Sequence, residues 1–344
     1  MSRAIELAQE HRPHPNPRVG AVLIAKDGSV AGEGSHAGPG HKHAEVVALD
    51  QAEQAAVGAT MYVTLEPCTH HGRTPPCADA LIEAKVSRVV VGSLDPDSKV
   101  HGTGVDRLRD SGIEVTVADD TETARNVDPA YFHHRETGLP RVTLKYAMTL
   151  DGAAAAADGS SQWITSEAAR SDAHVLRSGV DGVVVGAGTL RADDPLLTAR
   201  ASAFEGDQPI PIVVAGTGSL PSEAQLWARR PVVVSAEPMT TPNATSLVVA
   251  GAEGLPDPTE TVVALADELG MLDLLLEGGP TLAGAWWRAG VITRVVVYVG
   301  GRVGGGAGIQ PLGGIFESID LADDVVITSV RTLGPDIRID YEKR

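Results

Sequence analysis

Aromatic residues make up only 3% of this 344-residue chain. That is too few for the stacking platforms on which single-stranded nucleic acids are held. Basic residues are also short. Against 45 Asp and Glu stand 28 Lys and Arg, a formal net charge of −17, which argues against the clustered positive surface that nonspecific nucleic-acid binding needs. A phosphorylated small molecule is still compatible, because a few local arginines suffice to grip one phosphate. No run of about 18 apolar residues occurs, and Met1-Ser2-Arg3-Ala4-Ile5-Glu6 lacks an apolar signal core, so neither a membrane span nor export is expected and the cytoplasm is the simplest compartment. Cysteine is almost missing: Cys68 and Cys77 are the only two. They are compatible with one disulfide or with a reduced metal site, and the residues around them favour the metal.

What the chain does have is an alternation of strand-like and helix-like patterns long enough for two domains. In the first part, Val19–Ala25, Thr60–Leu65, Arg88–Val91 and Glu114–Val117 read as strands. Asp27-Gly28 marks a hairpin turn. Ala44–Gln54, Cys77–Ala84 and Gly104–Asp110 read as helices, the second opened by Pro75-Pro76. Thr137-Gly138-Leu139-Pro140 reads as a linker, dividing the chain at 138/139. Beyond it, strands are expected at Val142–Ala147, Gly182–Val185, Ile210–Ala215, Pro231–Ser235, Leu272–Leu276 and Arg294–Val299. Helices are expected at Glu167–Arg177, Thr261–Leu269 and Thr281–Ala289, and Val325–Val330 with Asp336–Tyr341 as a closing hairpin. The fold class is α/β in both halves.

The chemistry concentrates in His43-Ala44-Glu45, Pro67-Cys68 and Cys77. One imidazole and two thiolates give Zn2+ three protein ligands and leave the fourth tetrahedral position for water. Glu45, two residues from His43, is placed to carry a proton from that water to a leaving amine rather than to bind metal. This is the working set of a zinc hydrolytic deaminase. Nucleic-acid deaminases carry Pro-Cys-x-x-Cys; here eight residues separate Cys68 and Cys77, which points to another substrate. A structural zinc site remains an alternative, with His41, His70 and His71 as spare donors.

The run Tyr62-Val63-Thr64-Leu65-Glu66-Pro67-Cys68-Thr69-His70-His71-Gly72-Arg73-Thr74-Pro75-Pro76-Cys77 strongly resembles the bifunctional riboflavin-biosynthesis deaminase/reductases, the RibD family. So do Pro15-Asn16-Pro17-Arg18-Val19-Gly20 and His43-Ala44-Glu45-Val46. In the second half, Leu150-Asp151-Gly152, Ser161-Gln162-Trp163-Ile164-Thr165, Ala192-Asp193-Asp194-Pro195 and Glu277-Gly278-Gly279-Pro280-Thr281-Leu282 match the reductase part. The resemblance implies a three-layer α/β/α cytidine-deaminase-like domain over 1–138 and a dihydrofolate-reductase-like domain over 139–344. It implies deamination of 2,5-diamino-6-ribosylamino-4(3H)-pyrimidinone 5′-phosphate, then NADPH reduction of the ribosyl group to ribityl. By the same resemblance, Asn16, His36, His70, Arg73 and Asp95 hold the deaminase substrate. Ala147, Trp163, Thr189, Asp193 and the segment Gly279, Pro280, Thr281, Leu282, Ala283, Gly284 and Ala285 contact the nucleotide. Lys145, Ser161, Arg177, Leu197, Arg200 and Glu277 meet the reductase substrate, Arg177 and Arg200 at its phosphate. Family members commonly self-associate, so a homo-oligomer is expected. The alanine run Ala153–Ala157 stands where the family often carries a basic residue, and Gly216 where it often carries Ser. A zinc deaminase of another base, with an inactive or regulatory second domain, is the alternative reading.

Overall fold

The computed structural model describes residues 1–70, 75–118, 121–201, 206–314 and 317–343. The chain forms two compact units, Met1–Gly138 and Leu139–Arg344.

The first unit runs α1 (Ser2–Ala8), β1 (Gly20–Ile24), β2 (Val30–Ser35), α2 (Ala44–Ala52), β3 (Thr60–Leu65), α3 (Cys77–Glu83), β4 (Arg88–Ser93), α4 (Thr103–Asp110), β5 (Glu114–Val117), α5 (Thr121–Arg125) and α6 (Pro129–Thr137). Among the described residues its strands form one sheet in the order β2-β1-β3-β4-β5. β1 is antiparallel to β2 and β3, whereas β3, β4 and β5 are parallel. Alternation along the strands sorts the two faces. Ala21, Leu23, Met61, Val63, Val89 and Val91 pack with Ala44 and Ala48 of α2, Leu81 of α3 and Leu108 of α4. Val22, on the opposite face of β1, packs with Ala4 and Leu7 of α1. Helices therefore cover both faces, the three-layer α/β/α arrangement. Two close approaches need glycine: a Cβ at Gly34 of β2 would lie 2.2 Å from the Ala44 carbonyl oxygen, and one at Gly104 of α4 2.0 Å from that of Pro67. The first seats the start of α2 directly on the sheet.

The second unit runs β6 (Arg141–Thr149), α7 (Glu167–Ser178), β7 (Gly182–Gly186), α8 (Ala187–Asp193), β8 (Ile210–Val214), β9 (Val232–Ser235), β10 (Thr245–Val248), β11 (Gly251–Ala252), β12 (Leu255–Pro256), α9 (Pro258–Leu269), β13 (Asp273–Leu276), α10 (Pro280–Arg288), β14 (Arg294–Gly300), β15 (Val325–Leu333) and β16 (Asp336–Lys343). The larger sheet has the order β10-β9-β8-β7-β13-β6-β14-β16-β15. It is parallel from β10 to β14 and closes with the antiparallel β15–β16 hairpin. Val142, Leu144, Val184, Leu274 and Leu276 bury one face with α9 and α10. Val183, Val185, Val213 and Leu275 bury the other, with Leu190 of α8 and Leu176 of α7. Near-continuous Val/Leu runs are what strands covered on both faces require.

The sheet changes winding direction around β7, β13 and β6. The crevice at the carboxyl ends of such strands is where α/β folds bind ligands. Lys145 of β6, just past the part of that strand paired with β13, Glu277 just past β13 and α8 just past β7 all stand at that edge. Helix α8, absent from the sequence expectation, is only seven residues long, too short for helical periodicity to stand out.

Candidate active sites

In the first unit the ends of three elements converge. His43 is the N-cap of α2, so its side chain leaves from the helix start. Cys68 follows β3, and Cys77 is the first residue of α3. The Cys77 amide points at the Cys68 sulfur at 3.4 Å, and the Ala78 amide donates to the Cys68 carbonyl at 3.1 Å. The Cys68 loop thus satisfies donors that the helix start leaves open. Both cysteines are free thiols.

His43 Nδ1 lies 3.1 Å from Cys77 Sγ and 3.6 Å from Cys68 Sγ, and the three candidate ligand atoms lie within 4.8 Å of one another. A tetrahedral zinc sets nitrogen–sulfur edges of about 3.5 Å and sulfur–sulfur edges of about 3.8 Å. The donor set therefore fits such a metal with little movement. Among the described residues no fourth His, Cys, Asp or Glu joins the group. His41 and His70 are exposed, and His71 and Arg73 lie outside the described residues. The arrangement fits an open coordination position rather than a closed structural site. The hydrogen bond between the two sulfurs holds the Cys68 thiol well below its ordinary value, and that bond, together with burial, pushes Cys77 up. A divalent cation would bind both as thiolates.

Glu45 sits in the first turn of α2 with 3% exposure. Burial, and then the negative Cys68, push its carboxyl up to about 7. A buried carboxyl beside the three candidate ligands is the group available to pass a proton there. Beside it, the His36 ring meets the His43 ring edge-on at 4.9 Å. Burial lowers the pKa of His36, so its ring is neutral. Nδ1 donates to the Lys42 carbonyl at 3.1 Å, and Nε2 then accepts from the Asn16 amide at 2.9 Å. That pairing turns the oxygen of Asn16 away from His36 as a spare acceptor. Asp95 is buried and takes hydrogen bonds from the Asp97 amide and the Tyr131 hydroxyl. Burial pushes its carboxyl up to about 6. His70 lies on the loop after Cys68.

Glu66 escaped the sequence analysis. Its buried carboxylate accepts four backbone N–H bonds, from Asp95, Gly102, Gly104 and Val105. One side chain next to Cys68 thereby caps α4 and holds the Asp95 loop. Its only sequence signal was a carboxylate inside an otherwise apolar strand ending.

In the second unit Lys145, Arg177 and Glu277 meet. Arg177 donates from Nε and Nη2 to the two Glu277 oxygens at 2.6 and 2.9 Å, and Lys145 Nζ stands 3.6 Å from the same carboxylate. Burial alone would push Glu277 up, but the charges of Lys145 and Arg177 hold it down at about 2. Lys145 also lies 5.8 Å from the Tyr298 ring, whose hydroxyl donates to Asp172; Arg338 donates to the same Asp172 oxygen. His174 and Arg200 complete the cluster through the Thr198 carbonyl. His174, Tyr298 and Asp172 were not singled out from sequence.

Ser161 and Trp163 line an open cleft together with Ala153, Ala155, Ala156 and Ala157 and with Arg302, Gly304 and Gly308. The alanine run gives it an apolar wall. Trp163 is 57% exposed and stacks on the Arg170 guanidinium at 4.5 Å. Lys145, Ala147 and Thr149 alternate along one face of β6, and Thr149 reaches the cleft. Thr189 of α8 faces the Gly278-Gly279 turn, 3.7 Å from where a Gly279 Cβ would sit, and Asp193 is exposed at the end of that helix. Gly279 is the N-cap of α10 and Pro280 its first residue, so small groups and free N–H donors stand where a phosphate would fit.

Part of the expected contact set has no free side-chain surface. Ala283 is 1% exposed inside the core, and a Cβ at Gly284 would lie 2.0 Å from the Gly313 carbonyl oxygen. Leu282 and Ala285 pack against that core. Leu197 is 3% exposed within the core, in a left-handed turn at φ 51. Of the segment 279–285, Ala283 and Gly284 are buried, Gly279, Pro280, Leu282 and Ala285 are half-buried, and Thr281 is exposed.

Comparison with known proteins covers the whole chain. Residues 1–93 match the family model described as cytidine and deoxycytidylate deaminase zinc-binding region, and residues 140–339 the RibD C-terminal domain. The riboflavin biosynthesis protein RibD of Aquifex aeolicus is 39% identical, the match covering 100% of this chain and 97% of that one. Its counterpart in Mycobacterium tuberculosis is 41% identical, with 100% and 98% covered. Among solved structures, Acinetobacter baumannii RibD superposes with a TM-score of 0.90 at 34% identity. A diaminohydroxyphosphoribosylaminopyrimidine deaminase/5-amino-6-(5-phosphoribosylamino)uracil reductase from Thermotoga maritima does so at 0.88 and 31%. Both matches cover 100% of this chain and 97% of the other.

Proposed function

The chain belongs to the RibD family of bifunctional riboflavin-biosynthesis deaminase/reductases, and from that premise we propose how its two units divide the work. Residues 1–138 remove the exocyclic amine from 2,5-diamino-6-ribosylamino-4(3H)-pyrimidinone 5′-phosphate. Residues 139–344 then reduce the ribosyl group of the resulting 5-amino-6-(5-phosphoribosylamino)uracil with NADPH. The observation that carries the reading is the His43–Cys68–Cys77 cluster with the buried carboxyl of Glu45 beside it.

Zinc held by His43, Cys68 and Cys77 would supply Lewis acidity, lowering the pKa of water in the open position towards ~7. Glu45 takes a proton from the attacking water and hands it to the departing amine, so that hydroxide adds, ammonia leaves and the carboxyl ends as it began. Asn16 offers its amide oxygen, and Asp95 its carboxyl, to the polar edge of the pyrimidine. His70 and Arg73 complete the substrate shell, Arg73 at the phosphate.

In the reductase unit NADPH would supply hydride to the sugar carbon. Gly279, Pro280 and Thr281, with Thr189 and Asp193 of α8, would hold its phosphate and ribose portions, and Trp163 and Ala147 flank the reacting end. The Lys145 ammonium, anchored on Glu277, is placed to deliver the proton that accompanies the hydride. Ser161 and the backbone at Leu197 orient the substrate. Arg177 spends three N–H donors on Glu277 and Thr198, so the exposed Arg200 carries most of the phosphate contact. An intact Lys145–Glu277–Arg177 cluster supports a working reductase over a merely regulatory domain.

Among the described residues no helix is long and apolar enough to cross a membrane, and both cysteines are unpaired. A reducing compartment such as the cytoplasm suits a site that needs Cys68 and Cys77 as metal-binding thiolates. Self-association is supported by β15, an edge strand whose Ile327 and Val330 are 61% and 60% exposed. The decisive experiment combines metal analysis of the full chain with a coupled assay on the diaminopyrimidine phosphate. Ammonia release is expected without NADPH, and NADPH oxidation only once deamination has occurred. A zinc-loaded protein that releases no ammonia overturns the reading.

A further inference from the structure

We propose that His174 is a positioning residue of the reductase, fixing the guanidinium of Arg200 to grip the substrate's phosphate. The proposal rests on the reading of Arg200 as a phosphate contact.

His174 and Arg177 lie three residues apart on α7 and so share a face of that helix. The His174 Nδ1 stands 3.0 Å from the Thr198 carbonyl oxygen. A carbonyl only accepts, so Nδ1 carries the hydrogen. In a neutral ring Nε2 is then an acceptor, and Arg200 Nη2 stands 3.2 Å from it. A guanidinium only donates, so this contact exists in one protonation state and one tautomer of the imidazole. The surroundings favour that state. Burial and the positive charges of Arg177 and Arg200 lower the pKa of His174, against a weaker opposite pull from Glu277.

The Thr198 carbonyl also accepts from Arg177 Nη1 at 3.2 Å. One peptide group therefore sets the placement of both arginines, directly for Arg177 and through the His174 ring for Arg200. Thr198 is itself held in place. It follows the left-handed turn at Leu197, and Arg229 ties the flanking chain by donating to the carbonyls of Leu196 and Pro209, both at 2.7 Å. Arg200 is exposed and its long side chain is free to sample many rotamers. A hydrogen bond to an anchored ring narrows that choice and uses one of its five N–H donors, leaving four for a phosphate. His174 is not itself the phosphate ligand: its only N–H is committed to Thr198, and its other nitrogen faces a cation.

The test uses the full chain and four proteins: wild type, His174→Ala, His174→Gln and Arg200→Ala. Each is assayed with the phosphorylated reductase substrate and with its dephosphorylated counterpart. Loss of one hydrogen bond to a charged group is expected to raise KM for the phosphorylated substrate about tenfold in His174→Ala. kcat and the KM for NADPH should not change. His174→Gln, whose amide can donate to Thr198 and accept from Arg200, should recover most of the loss. With the dephosphorylated substrate, His174→Ala should match wild type. Wild-type KM should climb as pH falls and the imidazole protonates, a climb that His174→Gln should lack. Urea unfolding followed by tryptophan fluorescence reports that the reductase unit of each variant is folded, because all four tryptophans lie in it. A normal KM in His174→Ala alongside a raised KM in Arg200→Ala overturns the positioning role alone. A normal KM in Arg200→Ala overturns the phosphate reading and the proposal with it. Equal losses on both substrates mean that His174 merely supports the fold.

Discussion

Replacing Glu277 with Gln leaves two cations in a site built for a carboxylate. Arg177 and Glu277 are 17% and 9% exposed at their side chains, and Lys145 is 21% exposed. The carboxyl is held at about 2 in the folded protein against a reference value of 4.5. That difference of roughly 2.5 pK units corresponds to about 3 kcal/mol of stability at pH 7. Because the folded value is the lower one, this contribution is present above pH 4.5 and is lost as pH falls towards 2; near pH 3 about half of it remains. Glu277→Gln should therefore unfold more easily than wild type by about 3 kcal/mol at pH 7, with the gap closing in acid. The four tryptophans, Trp163, Trp227, Trp286 and Trp287, all lie in the reductase unit, so urea unfolding followed by tryptophan fluorescence reports that unit. Equal midpoints at pH 7, or a deficit that stays constant down to pH 3, would refute the electrostatic account. The same variant should lose reduction while deamination continues.

Three further outcomes follow from the deaminase unit. Glu45→Gln should keep its zinc by metal analysis yet release ammonia about 10²–10⁴-fold more slowly, the usual range for losing a positioned proton carrier; unchanged turnover would remove Glu45 from that role. Cys77→Ala should lose zinc and deamination together while NADPH oxidation with the deaminated intermediate persists; loss of both activities would mean that the metal supports the whole fold. Asp95→Asn should weaken deamination but stabilise its unit above pH 6. The folded carboxyl, at about 6, lies above its reference of 3.8, so wild type loses stability as pH rises between those values. Hydrogen exchange in β4 should slow in the variant at pH 7 and match wild type near pH 4.

Legibility from sequence followed the range of the interaction. Strands such as Gly182–Val185 and Arg294–Val299 were readable because burial on both faces forces near-continuous apolar runs. Helices α2, α3 and α10 were readable from their apolar faces or from Pro at the first turn. Helices α1, α5, α6 and α8 were not; they are five to nine residues long, too short for helical periodicity to stand out. Leu197 shows what motif matching leaves open: its side chain is buried in the core, a placement that the motif does not announce. The double use of the Thr198 carbonyl by His174 and Arg177, with Arg200 joined through the His174 ring, has no linear spacing that would announce it.

By itself the sequence determined the chemistry available: two cysteines at a particular spacing, one His-x-Glu, and a small-residue turn before a helix. Ligand identity is a property of residue type, and spacing along a chain limits which elements can bring the ligands. Only the tertiary structure decided which charges are buried together, which protons they share and which arginine remains free. Those outcomes depend on desolvation and on separations of a few ångströms between residues up to a hundred positions apart, as for Arg177 and Glu277.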